Sequence, residues 1–380
     1  MKLNRFIAIP FLFVFVFLSS CDNTRLIQTE AHEALEHGNY KGALKKILEL
    51  SDRQILDNDS LILMVSEAFY GLTGSYVGLN AQSLCDMDFS PNKDLVFFTD
   101  LKKGKIMKFA YPELSLLDSF DTPSGCYAVD ISPSGKELAA ALSNSDVLIY
   151  DLESFETIKT LKGHSNHVRA LEYLDSNWLV SGGNDQYMIL WDLQQNKMNN
   201  KQWPHRKNIK SIRAGEEGKY VVSASNDGTA IIWDVADREN PREIRKFKHG
   251  KNYVNDAMMS PDNSLLVTAS GDGDLKIWNV KTFDLITTIP LEDVGCSIDF
   301  SPDGKTLMVG GYRNLHFIDV DRRKEIYKYP LANDPVWSVK FISPNKFAFI
   351  DSSHYYESEL YSKEELVAHA REWLSQHQSE

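Results

Sequence analysis

Cysteine is scarce in this 380-residue chain, with four copies at positions 21, 85, 126 and 296. So few thiols exclude a disulfide-dense scaffold, and Cys85, Cys126 and Cys296 read as small buried apolar residues. Positive charge is in deficit too. Lys and Arg number 41 against 53 Asp and Glu, a net charge of −12 that becomes −14 if Lys2 and Arg5 leave with a leader. That balance argues against a nucleic-acid partner, which needs a basic footprint, and against purely electrostatic attachment to anionic lipid. A membrane-spanning run is missing as well. The strongly apolar stretch from Phe6 to Leu18 has thirteen residues, short of the roughly 20 that a spanning helix needs.

What that stretch does provide is an export signal. Lys2 and Arg5 precede it, and Leu18-Ser19-Ser20-Cys21 closes it with small residues directly before a Cys. This resembles the bacterial lipoprotein signal: residues 1–20 a signal peptide, Cys21 the lipidated residue, 21–24 a tether. Lipidation there implies a membrane contact through acyl chains, two of which already anchor stably. The expected location is the bacterial cell envelope, on the periplasmic face or the cell surface. An uncleaved signal anchor is the alternative.

The centre of the chain repeats. A Trp follows an Asp by six residues at Asp185…Trp191, Asp227…Trp233 and Asp272…Trp278, and the Trp positions differ by 42 and 45. Phe109, Tyr150 and Phe317 extend the ladder outward. Ser-Pro turns at Ser90, Ser132, Ser260, Ser301 and Ser343 keep the same period. Before each turn stands the pattern apolar-x-small-apolar-x-apolar, as in Val168 to Tyr173. After it comes an apolar run such as Tyr220-Val221-Val222, then a Gly/Asn/Asp turn, then the Trp-slot strand. Seven such units fit across residues 83–361. Short strands at even spacing with turns between them indicate an all-β fold, and four strands per unit of about 40–45 residues indicate propeller blades.

With Gly163-His164 and Trp191-Asp192 as its fullest signature, the chain resembles the WD40-repeat β-propeller family over residues 75–361. The predicted fold is mainly β: a seven-bladed propeller with a short N-terminal helical hairpin and a C-terminal helix. Unit six departs from the family by placing Gly311 at the turn Asp. Unit seven lacks a clear Trp-slot strand, with Tyr355 to Tyr361 the best candidate. Tyr76 to Leu79 is a candidate outer strand for that unit, a clasp that would remove free sheet edges.

Each intact unit also offers a His, a hydroxyl and an Asp: His164, Ser181, Asp185; His205, Ser223, Asp227; His249, Thr268, Asp272. The composition is that of a hydrolase triad, yet a repeat places it three times where an enzyme needs it once. The resemblance implies instead that each set hydrogen-bonds with Trp191, Trp233 or Trp278 and pins its blade. Asp272-Gly273-Asp274 begins like a calcium loop, but the twelfth position is Phe283, which cannot chelate. No cofactor is called for.

Two positions of the repeated pattern differ from unit to unit. The first x holds Cys85, Tyr127, Arg169, Lys210, Asn255, Cys296 and Trp337; the resemblance implies a rim used for partners, and Tyr, Arg and Trp are interface anchors. The second x holds Asp88, Asp130, Glu172, Arg213, Met258, Asp299 and Lys340. Its four acids, Asp88, Asp130, Glu172 and Asp299, are candidate cation ligands if they converge.

Residues 25–74 lose the β pattern. Ala31, Ala34, Leu35, Tyr40, Ala43, Leu44 and Ile47 recur at helical spacing around a Gly38-Asn39 break, with a third helix expected over about Ser60 to Leu72. The spacing resembles one tetratricopeptide repeat; an arbitrary helical cap reads equally well. In residues 362–380, Ser362-Lys363-Glu364-Glu365 is a capping box opening a helix. The expected function is non-enzymatic: a lipid-anchored scaffold for a protein partner, in an envelope assembly or secretion complex. The alternative is a propeller enzyme or small-ligand or cation binder using the channel acids.

Overall fold

The computed structural model describes residues 22–37, 39–52, 64, 65, 68, 76–331 and 334–377. Residues 1–20 and Cys21 lie outside them. Seven four-stranded antiparallel sheets follow one another along the chain, so the fold is a seven-bladed β-propeller. In each blade the first strand is innermost, and the first strands of successive blades touch round a closed ring.

Burial explains the order. Second strands such as Trp178–Gly183 are buried almost throughout, because blades cover both their faces. Outer strands such as Ser115–Asp121 keep most side chains in water. The apolar clusters span neighbouring blades: Ala139, Val147 and Ile149 of blade two pack with Val168, Leu179, Ile189 and Trp191 of blade three. A single blade therefore leaves apolar surface uncovered, and stability depends on the stack.

Closure uses the segment ahead of blade one. Strand Tyr76–Gly78 pairs with His354–Glu359 in the register Tyr76↔Tyr356, making blade seven's sheet two-ended in sequence. The third strand of that blade starts one residue before Tyr355 and ends at Glu359. In blade six the missing turn Asp is replaced from another loop. Asp293 accepts the N–H groups of Tyr312, Arg313 and Asn314. A Cβ at Gly311 would collide with that carboxylate, so the small residue makes room for it.

Two helices, α1 (Asp22–Glu36) and α2 (Tyr40–Asp52), form the N-terminal hairpin. No Gly or Pro stands between Asp22 and Glu36, so the helix runs through Asp22–Thr24, the stretch read as a tether. Asn39 caps α2, its side-chain oxygen accepting Gly42 N–H at 3.0 Å. Of the expected third helix, Met64, Val65 and Ala68 are helical and buried; the rest lies outside the described residues. Helix α3 (Lys363–Gln376) opens with the reciprocal Ser362–Glu365 capping box. The hairpin joins Leu366 and Ala370 of α3 and Phe317, Phe347 and Phe349 of blades six and seven in one apolar cluster. Arg371–Asp52 and Lys41 with the His377 carbonyl tie the two chain ends together.

Candidate functional site

The His, hydroxyl, Asp and Trp sets of blades three to five are bonded internally. In blade three, Trp191 Nε1 donates to Ser181 Oγ at 2.8 Å; that hydroxyl lies 2.7 Å from His164 Nε2, and His164 Nδ1 meets Asp185 Oδ1 at 2.9 Å. Blade four repeats this with Trp233, Ser223, His205 and Asp227 at 3.1, 2.9 and 3.2 Å. Blade five turns its ring over: His249 Nδ1 meets Thr268 Oγ1 at 2.7 Å, Trp278 donates to the same oxygen, and Nε2 faces Asp272 at 3.4 Å. Burial pushes the pKa of His249 down to about 4 against the pull of Asp272. Ser181, Ser223 and Thr268 have no exposed surface. Each hydroxyl is held by an indole on one side and an imidazole on the other, which leaves no path for attack on a substrate. Gly163 packs on Trp191 so closely that a Cβ would strike the indole ring.

Six of the seven second-x residues act as blade staples, and the seventh, Met258, packs against the apolar cluster between blades five and six. Asp88 accepts Ile131 N–H at 2.9 Å, Asp130 accepts Tyr173 N–H at 2.6 Å and Asp299 accepts Phe341 N–H at 2.6 Å, each reaching the first strand of the next blade. Glu172 receives Ala214 N–H in the same way. Cations are interleaved: Lys340 lies 3.2 Å from Asp88, and Arg213 lies 2.9 Å from Asp256. Burial raises the pKa of Glu172 to about 7 and of Asp299 to about 6, with Arg213 and Lys340 pulling the other way. Burial, reinforced by the Asp88 and Glu172 charges, lifts Asp130 well above the usual carboxylate range. Among the described residues, no group of three or more His, Cys, Asp or Glu is placed to hold a metal. Asp88, Asp130, Glu172 and Asp299 thus meet backbone N–H groups and cations.

The first-x residues converge at one mouth of the channel. Cys85, Tyr127, Arg169, Lys210, Asn255, Cys296 and Trp337 all line a cavity of about 110 Å³, whose wall and floor include Asp86, Ser211, Arg213 and Asp256. A local irregularity explains how. First x and second x are three residues apart, an odd spacing that would put them on opposite faces of a regular strand. In blades two to five, Tyr127, Arg169, Lys210 and Asn255 are skipped in the pairing as β-bulges. The extra residue shifts the phase, so both positions open to the channel. Arg169 stacks its guanidinium 4.1 Å from the Tyr127 ring centroid, and the Tyr127 hydroxyl meets His167 Nδ1 at 3.2 Å. Asn255 donates to the Gly295 carbonyl, and Trp337, 41% exposed, donates to Ser352. Burial, assisted by the Arg169 charge, pushes Lys210 down to about 8.

Cys126 is buried away from the cavity that Cys85 lines. The residues not singled out in the sequence are Asp86 and Asp256. They occupy the small position of the pattern, where the other blades hold Ala or Ser, and that substitution was the available signal. Asp86 accepts Val129 N–H and Ser338 Oγ; Asp256 accepts Ile298 N–H and Arg213. The turn role of Asp293 leaves no local signal in the sequence, because its partner glycine stands eighteen residues further on.

Two family models match the chain. The beta propeller of DDB1- and CUL4-associated factor 12 matches residues 82–216. The WD domain, G-beta repeat, matches residues 200–234 and 241–279. The chain is 26% identical over 224 residues to a cell division cycle 20.5 protein, cofactor of APC complex, of Arabidopsis thaliana, covering 57% of this chain and 48% of that one. It is 28% identical over 172 residues to DDB1- and CUL4-associated factor 10 of Homo sapiens, covering 44% and 30%. The same factor of Xenopus laevis matches at 28% over 172 residues, covering 44% and 37%. The matched region thus spans about half the length of these relatives or less. The two family matches and the seven four-stranded sheets agree on WD40 repeats that build a β-propeller.

Proposed function

We propose that this chain is a non-enzymatic, lipid-anchored WD40 propeller that holds a protein partner at the channel mouth. The carrying observation is the convergence of seven blade-specific residues on that one cavity, with Tyr127, Arg169 and Trp337 among them. Residue types of this kind anchor interfaces, while residues repeated in every blade serve the fold. The cavity is also well below the roughly 300–1,000 Å³ of small-molecule sites. The relatives' names point the same way, since they describe a cofactor of a complex and factors associated with other proteins. Hydroxyls sealed inside the blades and channel acids engaged as staples weigh against the enzyme and cation-binder reading.

Attachment is proposed through Cys21, on the strength of the Leu18-Ser19-Ser20-Cys21 motif and the basic and apolar stretch before it. The protein would then work outside the cytoplasm in a bacterial envelope, as an accessory of an assembly or secretion complex. The helical hairpin, tetratricopeptide-like in its spacing, is a brace between the anchor and blades six and seven. Affinity capture from intact cells tests the face. Trp337→Ala and Arg169→Ala should each lose the partner, and Trp203→Ala, an exposed Trp outside the cavity, should keep it. Identical capture by all three would overturn the proposed face.

A further inference from the structure

The channel mouth holds two cations that the described residues leave without a countercharge. Arg169 lies on the Tyr127 ring, and neither it nor Lys210 has a carboxylate within ion-pair distance among the described residues. The acids on the cavity floor face other groups. Both oxygens of Asp86 accept hydrogen bonds, from Ser338 and from Met87 and Val129 N–H, and Asp256 is taken by Arg213 and by Ala257 and Ile298 N–H. The two flanking thiols do not help: burial pushes Cys85 up to about 11 and Cys296 up to about 12, so both are neutral near pH 7. In the cavity wall, Ser211 Oγ is buried with no hydrogen-bond partner, on a residue 8% exposed. Two cations lining one concave site suit an oxyanion, because charge-assisted hydrogen bonds strengthen as water is excluded.

Size and surroundings narrow the class. About 110 Å³ admits one side chain and little more. Tyr127 and Trp337 border it as aromatic walls on which the flanking backbone of a peptide can pack. We propose that the mouth receives a single Asp or Glu side chain of a protein partner, its carboxylate held between Arg169 and Lys210. This rests on the scaffold reading above and names the partner's chemistry: an acidic segment, met by a local positive site on a protein that is acidic as a whole.

The test uses the purified full chain, with calorimetry against hexaglutamate, hexaglutamine and inorganic phosphate. Hexaglutamate should bind, should weaken as salt is raised, and should weaken about tenfold or more with Arg169→Met or Lys210→Met. Arg169→Lys and Lys210→Arg, which keep the charge, should bind more tightly than the Met variants. Both Met variants preserve the aliphatic stems, and unchanged melting temperatures verify their fold. Amine labelling of Lys210 should slow when hexaglutamate is present, because a bound carboxylate favours the protonated amine. Equal binding of hexaglutamine, or no loss in either Met variant, overturns the proposal. Phosphate binding as tightly as hexaglutamate through the same residues also overturns it, in favour of a free-anion site. Partner capture separates the two readings. If Trp337→Ala loses the partner while both Met variants keep it, the scaffold face stands and the carboxylate falls. If hexaglutamate requires Arg169 and Lys210 yet no substitution alters capture, the scaffold face falls.

Discussion

Lys340 Nζ lies 3.2 Å from Asp88 Oδ1, and this ion pair crosses the seam where blade seven meets blade one. Ser338 Oγ meets Asp86 Oδ1 at 3.0 Å across the same seam. On the outside, strand Tyr76–Gly78 completes blade seven. The ring is therefore closed at its inner and outer radius by contacts between residues more than 250 positions apart.

Removing the inner closure has a defined cost. Lys340→Met leaves Asp88, Asp299 and Asp86 without their shared cation. The loss should be about 2–4 kcal/mol in urea unfolding near neutral pH, toward the lower side of the range for broken buried pairs because the Lys340 side chain is 26% exposed. The deficit should shrink as pH falls, since protonated carboxylates no longer need the ammonium. A deficit that stays constant with pH would show that Lys340 acts through packing alone.

Glu172 makes the opposite pH argument. Its folded pKa, about 7, lies above the ordinary 4.5. The folded state then binds the extra proton between these values, so stability from this group is full below the ordinary pKa and is lost as pH rises toward the folded one. Glu172→Gln, which can still accept Ala214 N–H, should gain on the order of 1 kcal/mol above about pH 8 and nothing near pH 4. Thermal melts at the two pH values give the comparison. A variant destabilised at both would contradict the assignment.

The blade-four tetrad should behave as structure. Ser223→Ala strips a fully buried oxygen from both Trp233 and His205 and should cost about 1–3 kcal/mol. Trp233→Ala should cost about 3–5 kcal/mol by opening a core cavity. Denaturant titration of both variants tests this. A Ser223→Ala protein of unchanged stability that had lost a hydrolytic activity would return the hydroxyl to catalysis.

Cys21→Ser tests the anchor. Fractionation of the producing cells should move the protein from membrane to soluble fractions, because the acyl chains are the proposed attachment. Undiminished, salt-resistant membrane association of the variant would rule out lipidation at Cys21.

The blade period is legible along the chain. Trp191, Trp233 and Trp278 declare the blade period, and Phe109 and Tyr150 extend it, because every blade must bury the same slot against its neighbour; in blade six the slot falls not to Phe317 but to Ile318, which pairs with Leu307 as Trp191 pairs with Leu179. The capping box at Ser362 and the helical spacing about Asn39 are likewise local, readable within a few residues. Other features arise from contacts between distant segments. Asp293 reaches Gly311 from a separate loop, a contact no period announces. Bulges at Tyr127, Arg169, Lys210 and Asn255 put two ring positions on one face, whereas strand alternation taken alone would have separated them. The seven residues meet at one mouth because a closed ring brings together positions 40 residues apart, and whether Arg169 and Lys210 find a countercharge depends on what the other five blades place beside them. That is a sum over distant parts of the chain, and it exists only once the ring is closed.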